Sequence, residues 1–170
     1  MTPTAGIQDP VFLEKLRRIY KTTTILAVGM VGGLAVFLSL AEIIRALKKP
    51  FLGYFSAALS GDSRMTIRYA VYAAAVLVVL LLRLINGRQL RSVEKLAPEA
   101  ALSRLQRACV LAIVLAETPA ILGLALFLAA GYNRDFYVLL FVSLFLFFMY
   151  FPRLKNWEDI LQKNRSSCRF

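Results

Sequence analysis

The sequence predicts an all-α, polytopic membrane protein: one domain over residues 1–170, with four transmembrane helices and an amphipathic interfacial helix at both ends. Hydrophobic residues make up 59% of the chain, and its mean hydropathy is +0.64. The apolar residues form four long blocks, and basic residues stand at the ends of these blocks. This composition and patterning are typical of a protein whose helices cross a bilayer.

Four apolar blocks are long enough to be considered as spans. About 20 residues are needed to cross ~30 Å of hydrocarbon, and the predicted spans are residues 22–44, 66–85, 108–130 and 136–151. The fourth is the shortest, but it is uncharged and rich in aromatic residues. The first ends near "LSLA", which has the small residues of a signal-peptidase site, yet its length favours a retained helix.

A short amphipathic helix is predicted over residues 9–21, before the first span. Asp9 is a suitable N-cap, and Pro10 fits the first helical position. Apolar residues then recur at helical spacing, while Arg17 and Arg18 point away from them. We expect this segment to lie along the cytoplasmic surface of the bilayer, where the two arginines anchor it.

A second interfacial helix is predicted over residues 152–164. Pro152 opens it and its apolar residues share one face, while Tyr150 and Trp157 fall at the level of the headgroups. The pattern favours a membrane anchor over a docking helix for a partner protein, but it fits both.

Lysine and arginine counts predict the orientation. Residues 1–21, 83–107 and the tail after Phe151 carry four, six and five, which makes fifteen. Residues 45–68 and 131–135 carry five and one, which makes six. This excess predicts that both termini and the central loop are cytoplasmic, as in a multi-pass protein of a bacterial inner membrane.

Composition also argues against several classes of function. The net charge of +11 is spread over every helix end, so anionic lipid headgroups are the expected partner and nucleic acid is not. The chain has no histidine, which argues against His-ligated haem, histidine-containing zinc sites and Ser-His or Cys-His catalysis. Cys109 and Cys168 both lie toward the reducing side, without a second cysteine at metal-ligand spacing. We predict no cofactor, no metal site and no disulfide.

The predicted loops are too short to form a catalytic domain. The two largest, residues 45–65 and 86–107, hold 21 and 22 residues. Neither contains a phosphate-binding loop or a nucleophile motif. The sequence therefore predicts a protein that is not an enzyme.

Small residues mark two helix faces for close packing. Gly29 and Gly33 stand four apart in the first span, and such a pair lets a neighbouring backbone approach closely. The neighbour can be a helix of this chain, which we favour, or a second protein. The third span carries its own ladder of small residues: Ala112, Ala116, Ala120 and Gly123.

The stretch "LAETPAILG", residues 115–123, places Glu117 in the middle of the third span, two residues before Pro119. Counted from Arg107 at 1.5 Å per residue, the glutamate lies ~15 Å into the membrane. A charged carboxylate there is unfavourable by at least ~2.5 kcal/mol. We therefore expect a neutral side chain that faces a packed interior and forms hydrogen bonds.

Three hydrogen-bond partners are candidates for Glu117. Pro119 kinks the helix and frees the carbonyl of Leu115, Ser143 of the fourth span reaches a similar depth, and Arg83 can extend from the second span. Two interpretations stay open: a structural carboxyl that locks the helix to its neighbour, or one that exchanges a proton or binds a cation. Contact with a ligand is a third, weaker alternative.

Residues 87–131, "GRQLRSVEKLAPEAALSRLQRACVLAIVLAETPAILGLALFLAAG", resemble the carboxylate-bearing half of a rotary ATPase proteolipid, the ring-forming c subunit. A basic loop with Arg-Gln and Pro-Glu elements precedes a helix with a mid-membrane glutamate. The resemblance implies that Glu117 binds the transported proton or cation. The preceding helix, "AVYAAAVLVVLLL", lacks the glycine run of that family. By architecture alone, the chain is also similar to the ATP synthase assembly protein (I chain).

The sequence as a whole predicts a non-enzymatic membrane subunit, or an accessory or assembly protein, of a larger inner-membrane complex. Its expected partners are other membrane proteins or further copies of the chain. The alternative is a proton- or cation-handling protein that uses Glu117. Small size, short loops and the small-residue faces favour the first hypothesis.

Overall fold

The computed structural model describes residues 10–55, 61–93 and 98–151, and these form four α-helices and no strand. The helices are α1 Pro10–Leu47, α2 Gly61–Val93, α3 Pro98–Ala130 and α4 Asn133–Tyr150. Each is long and apolar enough to cross a membrane. The predictions of an all-α chain and of four helices able to cross a membrane are confirmed for the described residues.

The helices are longer than the predicted spans. α1 has 38 residues, which corresponds to about 57 Å and exceeds the ~30 Å of hydrocarbon. α2 and α3 both continue into residues 86–107, where a loop was predicted, since α2 ends at Val93 and α3 begins at Pro98. That prediction was wrong because charge ends the apolar block without ending the helix: arginine, glutamine and glutamate are good helix formers.

No break separates the predicted interfacial helix, residues 9–21, from the first span, because α1 is one continuous helix from Pro10. No glycine or proline follows Pro10 until residue 29 to end a helix. Phe12 and Leu16 are buried and pack against the beginning of α3. The apolar face that was expected to rest on the bilayer is therefore covered by a helix, while Arg17 and Arg18 are exposed.

The second predicted interfacial helix, residues 152–164 with Trp157, lies outside the described residues. Tyr150 is the last residue of α4 and is half-buried, packed against a core cluster to which all four helices contribute.

α3 is the central helix, because it packs against α1, α2 and α4, and α1 also touches α4. Successive helices run in opposite directions. The bundle therefore has a Leu102 end, with the beginnings of α1 and α3, and an Asp135 end, with the beginnings of α2 and α4. Buried residues form one cluster at each end and one between them. The middle cluster contains Ala27, Leu34, Leu82, Ile113, Ala116, Ala120, Leu146 and Phe147.

The loop after α1 covers the end of α3. The backbone N–H groups of Tyr54 and Phe55 donate to the carbonyls of Leu128 and Ala129, with N···O distances of 2.8 and 3.1 Å. The last four carbonyls of a helix have no partner within it. The loop satisfies two of them, which ties residues 48–55 to the Asp135 end of the bundle.

Candidate functional site

Glu117 lies in the crevice between α3 and α1 and is half-buried. Its neighbour across the crevice is Gly33, where an added Cβ would come 3.2 Å from the carboxyl Oε1. That distance is below an ordinary van der Waals contact, so the absence of a side chain at Gly33 makes the room that the carboxyl occupies. The glycine pair predicted for helix packing thus has one member facing a carboxyl.

None of the three predicted partners bonds to Glu117. Within the described residues its carboxyl makes no hydrogen bond or ion pair, so Ser143, Arg83 and the Leu115 carbonyl are not its ligands. Arg83 is exposed in the part of α2 near the Leu102 end of the bundle. The Ser143 hydroxyl accepts a hydrogen bond from a different donor. The carboxyl points toward α1, which sequence spacing alone could not indicate.

Ser143 completes the hydrogen bonding around Pro119 instead. Its hydroxyl is fully buried and accepts a hydrogen bond from the backbone N–H of Ala120, with an N···O distance of 2.8 Å. A proline ring clashes with the carbonyl four residues earlier and disturbs the local ladder. The Ser143 hydroxyl of α4 therefore accepts a hydrogen bond from the amide that follows the proline, and α3 continues through Pro119 to Ala130.

Ser143→Ala is expected to destabilise the folded protein by about 1–3 kcal/mol, because it leaves the buried Ala120 N–H without this acceptor. SDS titration in mixed micelles, followed by circular dichroism, measures the free energy of unfolding. Ser39→Ala is the matched control, since the exposed Ser39 hydroxyl donates to the Ala35 carbonyl of its own helix. Equal effects of the two substitutions would contradict this role for Ser143.

The small residues of α3 are all buried in the bundle: Ala112, Ala116, Ala120 and Gly123. Gly123 allows the closest approach, because an added Cβ would come 2.9 Å from the Cβ of Leu139 in α4. Gly29 differs, since nothing lies within 4 Å of the position of its missing side chain. The two glycines of the predicted pair therefore differ: Gly33 faces the bundle, and Gly29 faces the open surface of α1.

An ion pair that the sequence did not predict joins α2 and α4 at the Asp135 end, and its carboxylate is buried. Arg68 Nε and Nη2 donate to the two carboxylate oxygens of Asp135 at 2.8 and 2.9 Å, and the Tyr72 hydroxyl donates to the same carboxylate at 2.8 Å. The Asp135 side chain is only 5% exposed, against 40% for Arg68. Three donors therefore satisfy a carboxylate that is shielded from solvent.

A second polar cluster joins α1 and α4 at the same end. The Tyr137 hydroxyl donates to Glu42 Oε1, and Arg45 bridges to Glu42 Oε2 at 3.2 Å. Both charged side chains are over 40% exposed, so the pair is partly screened by solvent. The beginning of α4 is thus tied to α2 through Asp135 and to α1 through Tyr137.

The sequence held one signal for the Arg68–Asp135 pair. Both residues stand at the ends of apolar blocks, on the side that the charge count predicts to be non-cytoplasmic. Opposite charges on one side of a membrane can meet, but which helices are adjacent is a property of the fold. Within the described residues, no three His, Cys, Asp or Glu side chains group as a metal site would require.

Comparison with models of protein families, with curated proteins and with solved structures finds no match. The site is therefore defined by its own geometry. Among the described residues, it comprises a carboxyl without a hydrogen-bond partner beside Gly33 in the middle of the bundle, and the open Gly29 on the neighbouring surface of α1.

Proposed function

We propose that this chain is a non-enzymatic subunit or accessory protein of a larger inner-membrane complex, with both termini in the cytoplasm. The observation that carries the proposal is the free face of α1. Gly29 and Gly32 have nothing within 4 Å of their missing side chains. Glycine in a helix is unfavourable by roughly 0.5–1 kcal/mol relative to alanine, so two glycines with no neighbour among the described residues favour a contact with a second helix.

The geometry of α1 supports a flat, closely packed contact. The buried residues Ala27, Leu34 and Ala41 share one side of the helix, and Gly32 lies about 160° around the helix from Leu34. The exposed β-branched residues Ile25, Val36 and Ile43 flank the glycines. In lipid, helices associate through close packing at small residues rather than through hydrophobic burial. This surface, the glycine face of α1, suits a helix from a second protein.

Native mass spectrometry of the protein released from its own membranes in mild detergent tests the proposal. The wild type is expected to co-purify with defined proteins at fixed stoichiometry, and Gly32→Leu is expected to release them. Ala73→Leu adds the same side chain at an exposed position of α2 and is expected to release none. A wild-type chain that runs as a monomer without partners would overturn the proposal.

A second candidate function is the handling of a proton or cation by Glu117. It is favoured by the carboxyl having no hydrogen-bond partner within the described residues, although it lies in the middle of a candidate span. Intramembrane ionisable side chains are functional candidates for this reason. The resemblance of residues 87–131 to the proteolipid supports the same role. Gly33 lies about 40° around the helix from Gly29, so the carboxyl borders the glycine face.

Carbodiimide labelling and ion flux in reconstituted vesicles test this candidate. Glu117→Gln is expected to abolish both, and Gly33→Val is expected to reduce labelling because it fills the room beside the carboxyl. Glu14→Gln, which removes an exposed carboxyl of α1, is expected to leave the flux unchanged. Unchanged flux in Glu117→Gln would remove the candidate without affecting the subunit proposal.

A further inference from the structure

A cavity of about 520 Å³ lies against the second half of α2, lined by Leu80, Arg83, Leu84, Gly87 and Arg88. These residues form one face of the helix. At 100° per residue, Leu80, Leu84 and Gly87 occupy its centre, and the two arginines stand about 70° to either side. No described atom lies within 4 Å of the missing side chain of Gly87. The face is therefore an apolar strip with an arginine on either side and open space over Gly87 among the described residues.

The charges of this face are not neutralised within the described part of the chain. Arg83 and Arg88 are exposed, and neither makes a hydrogen bond or ion pair with a residue the structure describes. At the Asp135 end, by contrast, Arg45 and Arg68 are each paired with a carboxylate. Each guanidinium carries five N–H donors in a planar fork that fits phosphate oxygens.

The apolar strip indicates where the anion comes from. Leu80 and Leu84 are 53% and 56% exposed, and they belong to a helix long and apolar enough to cross a membrane. They lead from the arginines toward the hydrocarbon. A free phosphate would use only the guanidinium groups, whereas a phospholipid matches both parts, with its phosphate between the arginines and an acyl chain along the leucines.

We propose that this face of α2 is a binding site for one anionic phospholipid. The phosphate lies over Gly87 between Arg83 and Arg88, and an acyl chain lies along Leu84 and Leu80. The site is independent of the glycine face of α1 and of Glu117, so it holds whichever of the two candidate functions applies. Clusters of lysine and arginine near the cytoplasmic ends of membrane helices attract anionic headgroups.

The test is native mass spectrometry of the full chain in mixed micelles with phosphatidylglycerol and phosphatidylcholine in equal amounts. The wild type is expected to retain one phosphatidylglycerol in preference to phosphatidylcholine. The double variant Arg83→Gln/Arg88→Gln is expected to bind it about tenfold or more weakly. Lys21→Gln/Arg107→Gln removes the same charge from exposed positions of α1 and α3 and is expected to retain it.

Gly87→Leu separates a shaped site from general attraction to positive charge. It leaves the net charge unchanged but fills the space between the guanidinium groups, so it is expected to lose the preferred lipid as well. Equal retention of the two lipids by the wild type would overturn the proposal. Equal losses of bound phosphatidylglycerol in the two double variants would also overturn it. That outcome is expected if lipid binding follows net charge alone and the two arginines instead bind an acidic segment of a partner protein.

Discussion

Arg68→Leu is expected to weaken the folded bundle more than Tyr72→Phe, although both remove donors from the same carboxylate. Asp135 is almost fully buried and receives two hydrogen bonds from Arg68 and one from Tyr72. Removal of one partner from a buried ion pair leaves an uncompensated charge, which is strongly destabilising. Tyr72→Phe keeps the ion pair and is expected to cost about 1.5–3 kcal/mol, the range for a hydrogen bond to a charged group.

SDS titration in mixed micelles, followed by circular dichroism, measures this order. The double variant Arg68→Leu/Asp135→Leu is the control, because it removes the buried charge together with its partner. It is expected to be more stable than Arg68→Leu alone, since apolar replacements of a buried pair are often close to neutral. Asp135→Leu completes the cycle. If the double variant lost as much stability as Arg68→Leu and Asp135→Leu lose together, the two residues would act independently and the prediction would be wrong.

Gly131→Ala is expected to destabilise the protein by about 2–5 kcal/mol, combining backbone strain with overpacking. Gly131 follows α3 with φ of +75°, a conformation that L residues rarely adopt. Its missing Cβ would lie 2.6 Å from the carbonyl carbon of Leu52, and that of Gly53 would lie 2.6 Å from Gly131 N. These neighbours are backbone atoms, so the clash cannot be relieved by rotation of a side chain.

The same titration tests the glycine contact. Gly53→Ala is expected to match Gly131→Ala, because φ at Gly53 is +92° and the two backbones face each other. Gly87→Ala is the control, since it lies within α2 and its side chain would meet nothing within 4 Å. It is expected to be neutral or to stabilise by roughly 0.5–1 kcal/mol. A Gly131→Ala variant as stable as Gly87→Ala would contradict the close approach of the loop to α3.

Much of the fold was predictable because it depends on local composition. An apolar block of about 20 residues without water to bond its backbone forms a helix, whatever lies beside it. The helix ends were less predictable, since "GRQLRSV" after the second block and "EAALSRLQR" before the third continue as helices beyond the apolar residues. Hydropathy marks where the membrane ends, and helix propensity decides where the helix ends.

The surroundings of the candidate site were less predictable. Glu117 was identifiable from depth and charge, yet its neighbour is Gly33 of α1 rather than Ser143, because the rotation of α3 against α1 decides which side the carboxyl faces. Asp135 lay just outside the predicted fourth span, and its partner Arg68 is 67 residues away. Spacing within a helix reports angles about that helix but not which neighbouring helix it meets.

The sequence by itself determined that the described chain is helical, that four helices can cross a membrane, and that a carboxyl lies in the third. These follow from solvation, which acts on each segment separately. Only the tertiary structure decided that α3 is central, that Ser143 serves the amide after Pro119, that Asp135 is held by Arg68 and Tyr72, and that Gly29 is open while Gly33 is not. These depend on contacts between distant segments, which packing selects for the chain as a whole.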